Sequence, residues 1–221
     1  MAATGWLRLG FHAVSLAVVA YSVVWLRQLG MLAPWLVLMF TMWGLATLGA
    51  FLCVALVVDA SKLWAFTLQL HELLFALACF FAVIVTTIFW GLFFYDRELI
   101  FPRAFAFPAL LNHIQHTLPM VVLALEFLAL HRRPRAFFRH HPPVSLLLEL
   151  SVLVGGVIAY LHLTAALYAK SGRWPYPFMS GFTFSTFLGF ATIAVVAALL
   201  VSHLLRSARL HLHYAPPRKP E

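Results

Sequence analysis

Asn112-His113-Ile114-Gln115-His116-Thr117-Leu118-Pro119 stands at the head of a run, 109–130, that is otherwise oily enough to cross a bilayer. Two imidazoles, two amides and a hydroxyl are expensive to bury in lipid, and ionisable groups inside a span are functional candidates. On a helix Asn112 and His116 share a face at i,i+4, as do His113 and Thr117. Pro119 has no N–H for the carbonyl four residues back, which frees the Gln115 carbonyl beside His116. The competing reading is a pair of histidines tucked between helices, hydrogen-bonded and inert.

Outward from this stretch the composition decides the class. With 63% hydrophobic residues, 10% charged and a mean hydropathy of +0.94, the chain reads as an all-α, polytopic integral membrane protein. A spanning helix needs about 20 apolar residues, and six stretches qualify: 9–26, 35–58, 72–94, 109–130, 144–168 and 179–204. A six-helix transmembrane domain then fills residues 1–208, followed by a short basic, disordered tail over 209–221.

The formal charge of +8 lies in short loops and the tail, so it is no nucleic-acid signature; it carries topology. Assigning alternate loops to two sides puts ten cations on one, Arg8, Lys62, Arg132, Arg133, Arg135, Arg139, Arg206, Arg209, Arg218 and Lys219. The other side has five, Arg27, Arg97, Arg103, Lys170 and Arg173, which predicts cytosolic N- and C-termini. The first span has no small-residue cleavage site after it and reads as a signal anchor. Cys53 and Cys79 fall inside spans and are expected to pack as apolar residues, without a disulfide. Plasma membrane and endomembranes fit the sequence equally, and protein partners are unspecified.

Most isolated polar residues have ordinary explanations. Thr41 and Thr47 stand alone in the second span, where a threonine usually bonds its own i−4 carbonyl. His12 is near enough to the cytosolic boundary to reach headgroups. Glu126 and Glu149 are expected to snorkel toward the basic loop 131–141. Residues 63–70 either lie along the interface or extend the third span. His71-Glu72 begins a zinc-helix pattern, but Phe75 stands where the second histidine belongs, so no metal is expected.

Depth supplies a stronger signal. With both termini inside, Thr41 and His116 each lie seven or eight residues into helices running inward, roughly 10–12 Å below the outer boundary at about 1.5 Å per residue. His162, Thr86 and Thr87 reach a similar level from their own spans. A hydroxyl and a neutral imidazole at one depth are the minimum for nucleophilic acyl transfer. Asn112, one turn from His116, is placed to orient the ring or to donate to an oxyanion.

Asn112-His113-x-x-His116-Thr117, Phe89-Trp90 followed by Tyr95-Asp96-Arg97-Glu98-x-Ile100-x-Pro102, and Trp174-x-Tyr176-Pro177 resemble the signatures of the androgen-induced gene 1 and androgen-dependent TFPI-regulating protein family. The resemblance implies a six-span threonine hydrolase that cleaves fatty acid esters of hydroxy fatty acids, with no cofactor. By position it makes His116 the general base and acid. It prefers Thr41 to Thr47 as nucleophile, from its separation to Asp59-x-Ser61. His113, Asn112 and His162 are supporting candidates. Val37-Leu38-Met39-Phe40 stands where the family carries Trp-Lys, and Ile114-Gln115 separates the histidines in place of a small residue and Met. Two other readings remain open: a haem-binding redox protein using His116 and His162 as facing ligands, and a non-enzymatic membrane regulator.

Overall fold

The computed structural model describes residues 3–31, 39–60, 65–101, 106–130 and 144–209. Expectations for Lys62, Arg103, the basic loop 131–141 and the tail from 210 onward fall outside these residues. All regular structure among the described residues is helical: α1 (Ala3–Gln28), α2 (Phe40–Ala60), α3 (Ala65–Tyr95), α4 (Ala109–His116), α5 (Leu118–Leu125), α6 (Leu146–Ser171) and α7 (Phe184–Arg209), with single 3₁₀ turns at Arg97–Leu99 and Pro177–Met179.

Five of these helices, α1, α2, α3, α6 and α7, are long and apolar enough to cross a membrane. The stretch 109–130, expected to be one span, is instead three helical pieces in series: α4, α5 and a wide π turn over Glu126–Leu130. The break follows from Pro119. With no N–H to continue the ladder, α4 stops at His116 and α5 starts with the proline in its first turn, where it loses nothing. Residues 65–70 settle into α3, lengthening it to 31 residues.

Local chemistry sets the other boundaries. Ser145 caps α6 by accepting from the Leu148 N–H at 3.1 Å, and Gly172 closes the same helix at φ +64°, donating to the Tyr168 carbonyl. Thr183 accepts from the Thr186 N–H at 3.2 Å, so α7 begins five residues later than hydropathy alone suggests.

The helix ends that meet show an up-and-down arrangement. The start of α1 meets the end of α2 and the end of α5, while the end of α3 meets α4. Helix α3 is central, packing against α2, α4, α5, α6 and α7. Its fully buried Phe75 joins Leu48, Phe51 and Leu52 of α2 in one core cluster, and Phe80 joins Leu153 and Val157 of α6 in another. A Cβ on Gly44 would come 3.3 Å from the Phe81 Cβ, so glycine there sets how closely α2 and α3 approach. Large apolar side chains of α1, α6 and α7 face outward, as lipid-facing surfaces do.

At the end of the bundle bearing Asp59, three sequence expectations are corrected. His12 does not reach outward: it is fully buried and bridges two carboxylates, Nδ1 to Asp59 at 2.7 Å and Nε2 to Glu126 at 3.0 Å. Arg8 meets the other Asp59 oxygen at 2.8 Å. Glu126 and Glu149 are likewise buried rather than extended to the surface. Glu126 joins His12, whereas Glu149 accepts from Ser202 at 3.1 Å and from Arg206 at 3.2 Å on α7. Buried carboxylates are tolerable only with such partners.

Candidate active site

At the opposite end, the start of α2, the end of α3, α4 and the second half of α6 enclose a cavity of about 450 Å³. Its polar lining is Thr41, Gln115, His116, Tyr160, Thr164 and Tyr176; the rest is apolar, including Met39, Phe80, Ile88, Phe101 and Phe187. None of the described lining residues is Lys, Arg, Asp or Glu.

His116 is held on three sides. Its Nδ1 is 3.0 Å from the Asn112 carbonyl, which only accepts, so Nδ1 carries the ring proton and Nε2 keeps its lone pair. The ring lies flat on Phe89, centroids 3.5 Å apart and planes 10° from parallel. Its backbone carbonyl, released by the break before Pro119, accepts from the Thr86 hydroxyl at 2.7 Å. Nε2 then faces the Thr41 hydroxyl at 3.4 Å. That exceeds the usual span of about 2.7–3.2 Å for a formed bond, as nucleophile–base pairs often do before substrate tightens them. Thr41 lies in the first turn of α2, where backbone N–H groups give a partial positive charge, and His116 ends α4, where carbonyls give a negative one. These fields suit an oxyanion at the threonine and an imidazolium at the histidine.

Thr47 bonds back to the Trp43 carbonyl at 2.8 Å, the ordinary behaviour expected of both threonines, whereas Thr41 faces His116. Asn112 contributes its backbone carbonyl to the His116 ring; its side chain is not part of the cavity wall. His113 is exposed, bonded to Thr117 at 3.2 Å and stacked on Trp90. It shares a face with Thr117 as expected, but on the outside of the bundle. His162 is also exposed and does not line the cavity, where Leu161 and Thr164 do. The facing imidazoles on which a haem site would rest are therefore not brought together. Of the threonines expected at this depth, Thr86 supports His116 while Thr87 is exposed.

Sequence reasoning missed two tyrosines. Tyr176 accepts the Phe40 N–H at 2.7 Å, bringing the loop before α7 onto the start of α2. Thr41 and Tyr160 line the same cavity, and burial pushes the Tyr176 phenol above the ordinary value. Tyr160 packs edge-on to Phe40 and Trp43. Trp174-x-Tyr176-Pro177 was visible as a motif, but interfacial aromatics are common enough that nothing tied it to the threonine.

Fold and site together define a multi-pass helical membrane protein with a threonine–histidine pair on an apolar cavity between its helices. The chain belongs to the FAR-17a/AIG1-like protein family, which it matches over residues 7–209. It is 30% identical over 146 residues to the androgen-dependent TFPI-regulating protein of Mesocricetus auratus, covering 65% of this chain and 56% of that protein. It is 27% identical over 158 residues to the Homo sapiens protein of that name, covering 70% and 64%. The androgen-induced gene 1 protein of Homo sapiens is 29% identical over 99 residues, covering 44% of this chain and 38% of the relative. These matches extend over less than two thirds of each relative's length. No solved structure matches the chain.

Proposed function

We propose that the protein is an integral-membrane ester hydrolase of the threonine type, acting on fatty acid esters of hydroxy fatty acids. The observation that carries this reading is the Thr41 Oγ1–His116 Nε2 approach of 3.4 Å on the wall of an apolar cavity, with the ring tautomer set by the Asn112 carbonyl.

In the reaction, Thr41 Oγ attacks the ester carbonyl carbon as its proton passes to His116 Nε2. The tetrahedral intermediate collapses by breaking the bond to the alkoxy oxygen, which takes the proton from the imidazolium and leaves as the hydroxy fatty acid. Water then gives a proton to Nε2, attacks the acyl-threonine and releases the fatty acid, and the proton returns to Thr41. A cavity of this volume falls in the usual range for small-molecule sites, about 300–1,000 Å³. Its apolar wall suits acyl chains, and with no described cationic residue in the lining the free carboxylate of the substrate stays at the mouth.

The test is hydrolysis of such an ester by the full chain in membranes. Thr41→Ala and His116→Ala each abolish turnover, Thr41→Ser retains it, and a fluorophosphonate probe labels residue 41. Unimpaired turnover in both alanine variants refutes the assignment.

A further inference from the structure

Beyond the Thr41–His116 pair, and resting on it, we infer that the Tyr176 hydroxyl is the donor that stabilises the oxyanion formed when Thr41 attacks. In this role it carries the positive end of α2 to the reacting oxygen.

The argument is an accounting of one hydroxyl. A phenol has one hydrogen to give and oxygen lone pairs to receive. The Tyr176 oxygen accepts the Phe40 N–H at 2.7 Å, a donor that the opening turn of α2 leaves without a helical partner. Thr41, the residue after Phe40, and Tyr160 line the same cavity as Tyr176. With an accepted backbone N–H polarising it, the Tyr176 hydroxyl keeps one hydrogen to give, and it is seated on the residue next to Thr41. Attack by Thr41 Oγ places the negative oxygen one atom away from Oγ, on the wall that Tyr176 shares.

An oxyanion donor acts by being fixed before the reaction, and the backbone around Tyr176 is fixed. Pro175 and Pro177 flank it; the following proline restricts residue 176 to extended conformations, and it sits at φ −122°, ψ 143°. The 3₁₀ turn after it is anchored by Met179, which is 2% exposed. Neither Asn112, whose side chain is off the cavity wall, nor exposed His113 is placed to serve instead.

Tyr176→Phe keeps the ring and removes the hydroxyl. Assayed as the full chain in membranes, it lowers kcat by about 10²–10³, the usual loss for one oxyanion donor, with KM within about twofold. A long-chain trifluoromethyl ketone, which forms a tetrahedral adduct with Thr41, weakens by a similar factor. The matching long-chain ether, with no carbonyl, binds as before. A loop that has merely come loose weakens ketone and ether alike, and that result, or a kcat within threefold of wild type, overturns the inference. If Tyr176→Phe fails to accumulate, 3,5-difluorotyrosine at 176 keeps the shape and strengthens the donor; the ketone then binds tighter, and unchanged affinity overturns the role. Inactive Thr41→Ala beside active Tyr176→Phe removes only the donor, whereas active Thr41→Ala removes the dyad and the donor together.

Discussion

Replacing His12 with Leu tests whether the buried charge network at the Asp59 end holds α1, α2 and α5 together. Both ring nitrogens face carboxylate oxygens, at 2.7 and 3.0 Å, so two protons lie among the three groups, and removing the ring deprives both acids of a charge-assisted bond. Asp59 keeps Arg8 at 2.8 Å; Glu126, fully buried, loses its link to α1. Breaking one partner out of a buried ionic cluster costs about 3–5 kcal/mol. At roughly 2–4 °C per kcal/mol for a chain of this size, the thermal midpoint falls by on the order of 10 °C. The double variant His12→Leu with Glu126→Leu removes the facing acid as well, and because apolar replacements of buried ion pairs are often neutral, it recovers about 2 kcal/mol or more of that loss. The assay is thermal unfolding in one detergent or nanodisc preparation, followed by tryptophan fluorescence. A single variant within about 2 °C of wild type, or a double variant that loses the sum of its parts, refutes the reasoning.

Thr86→Val removes the hydroxyl that caps the His116 carbonyl at 2.7 Å. We expect a loss of about 1–3 kcal/mol in stability and a lower kcat, read from unfolding and turnover together. Thr47→Val, which removes only an i−4 bond within α2, leaves hydrolysis within about twofold while Thr41→Val abolishes it. Gly44→Leu drives a side chain into Phe81, whose Cβ lies 3.3 Å from where the new Cβ stands; it destabilises by about 1–3 kcal/mol, seen as a lower thermal midpoint. His162→Ala leaves turnover unchanged, because that side chain faces away from the cavity.

Hydropathy along the chain determined the class and five of the six long apolar helices expected, because these depend only on the run of residues along the chain. It put Thr41 and His116 at similar distances along their helices, but it read 109–130 as one unbroken span, and the break before Pro119 came only with the structure. It did not determine which way each side chain points around its helix. His162 sits at a suitable level yet faces outward, whereas Thr41 turns inward to Nε2 of His116. Rotation about the axis is set by how neighbouring helices pack, and a chain uniformly apolar on all sides carries little record of it. The partnership of His12 with Asp59 and Glu126, 47 and 114 residues away, and the arrival of Tyr176 over Phe40, 136 residues distant, were therefore decided only when the helices closed around α3.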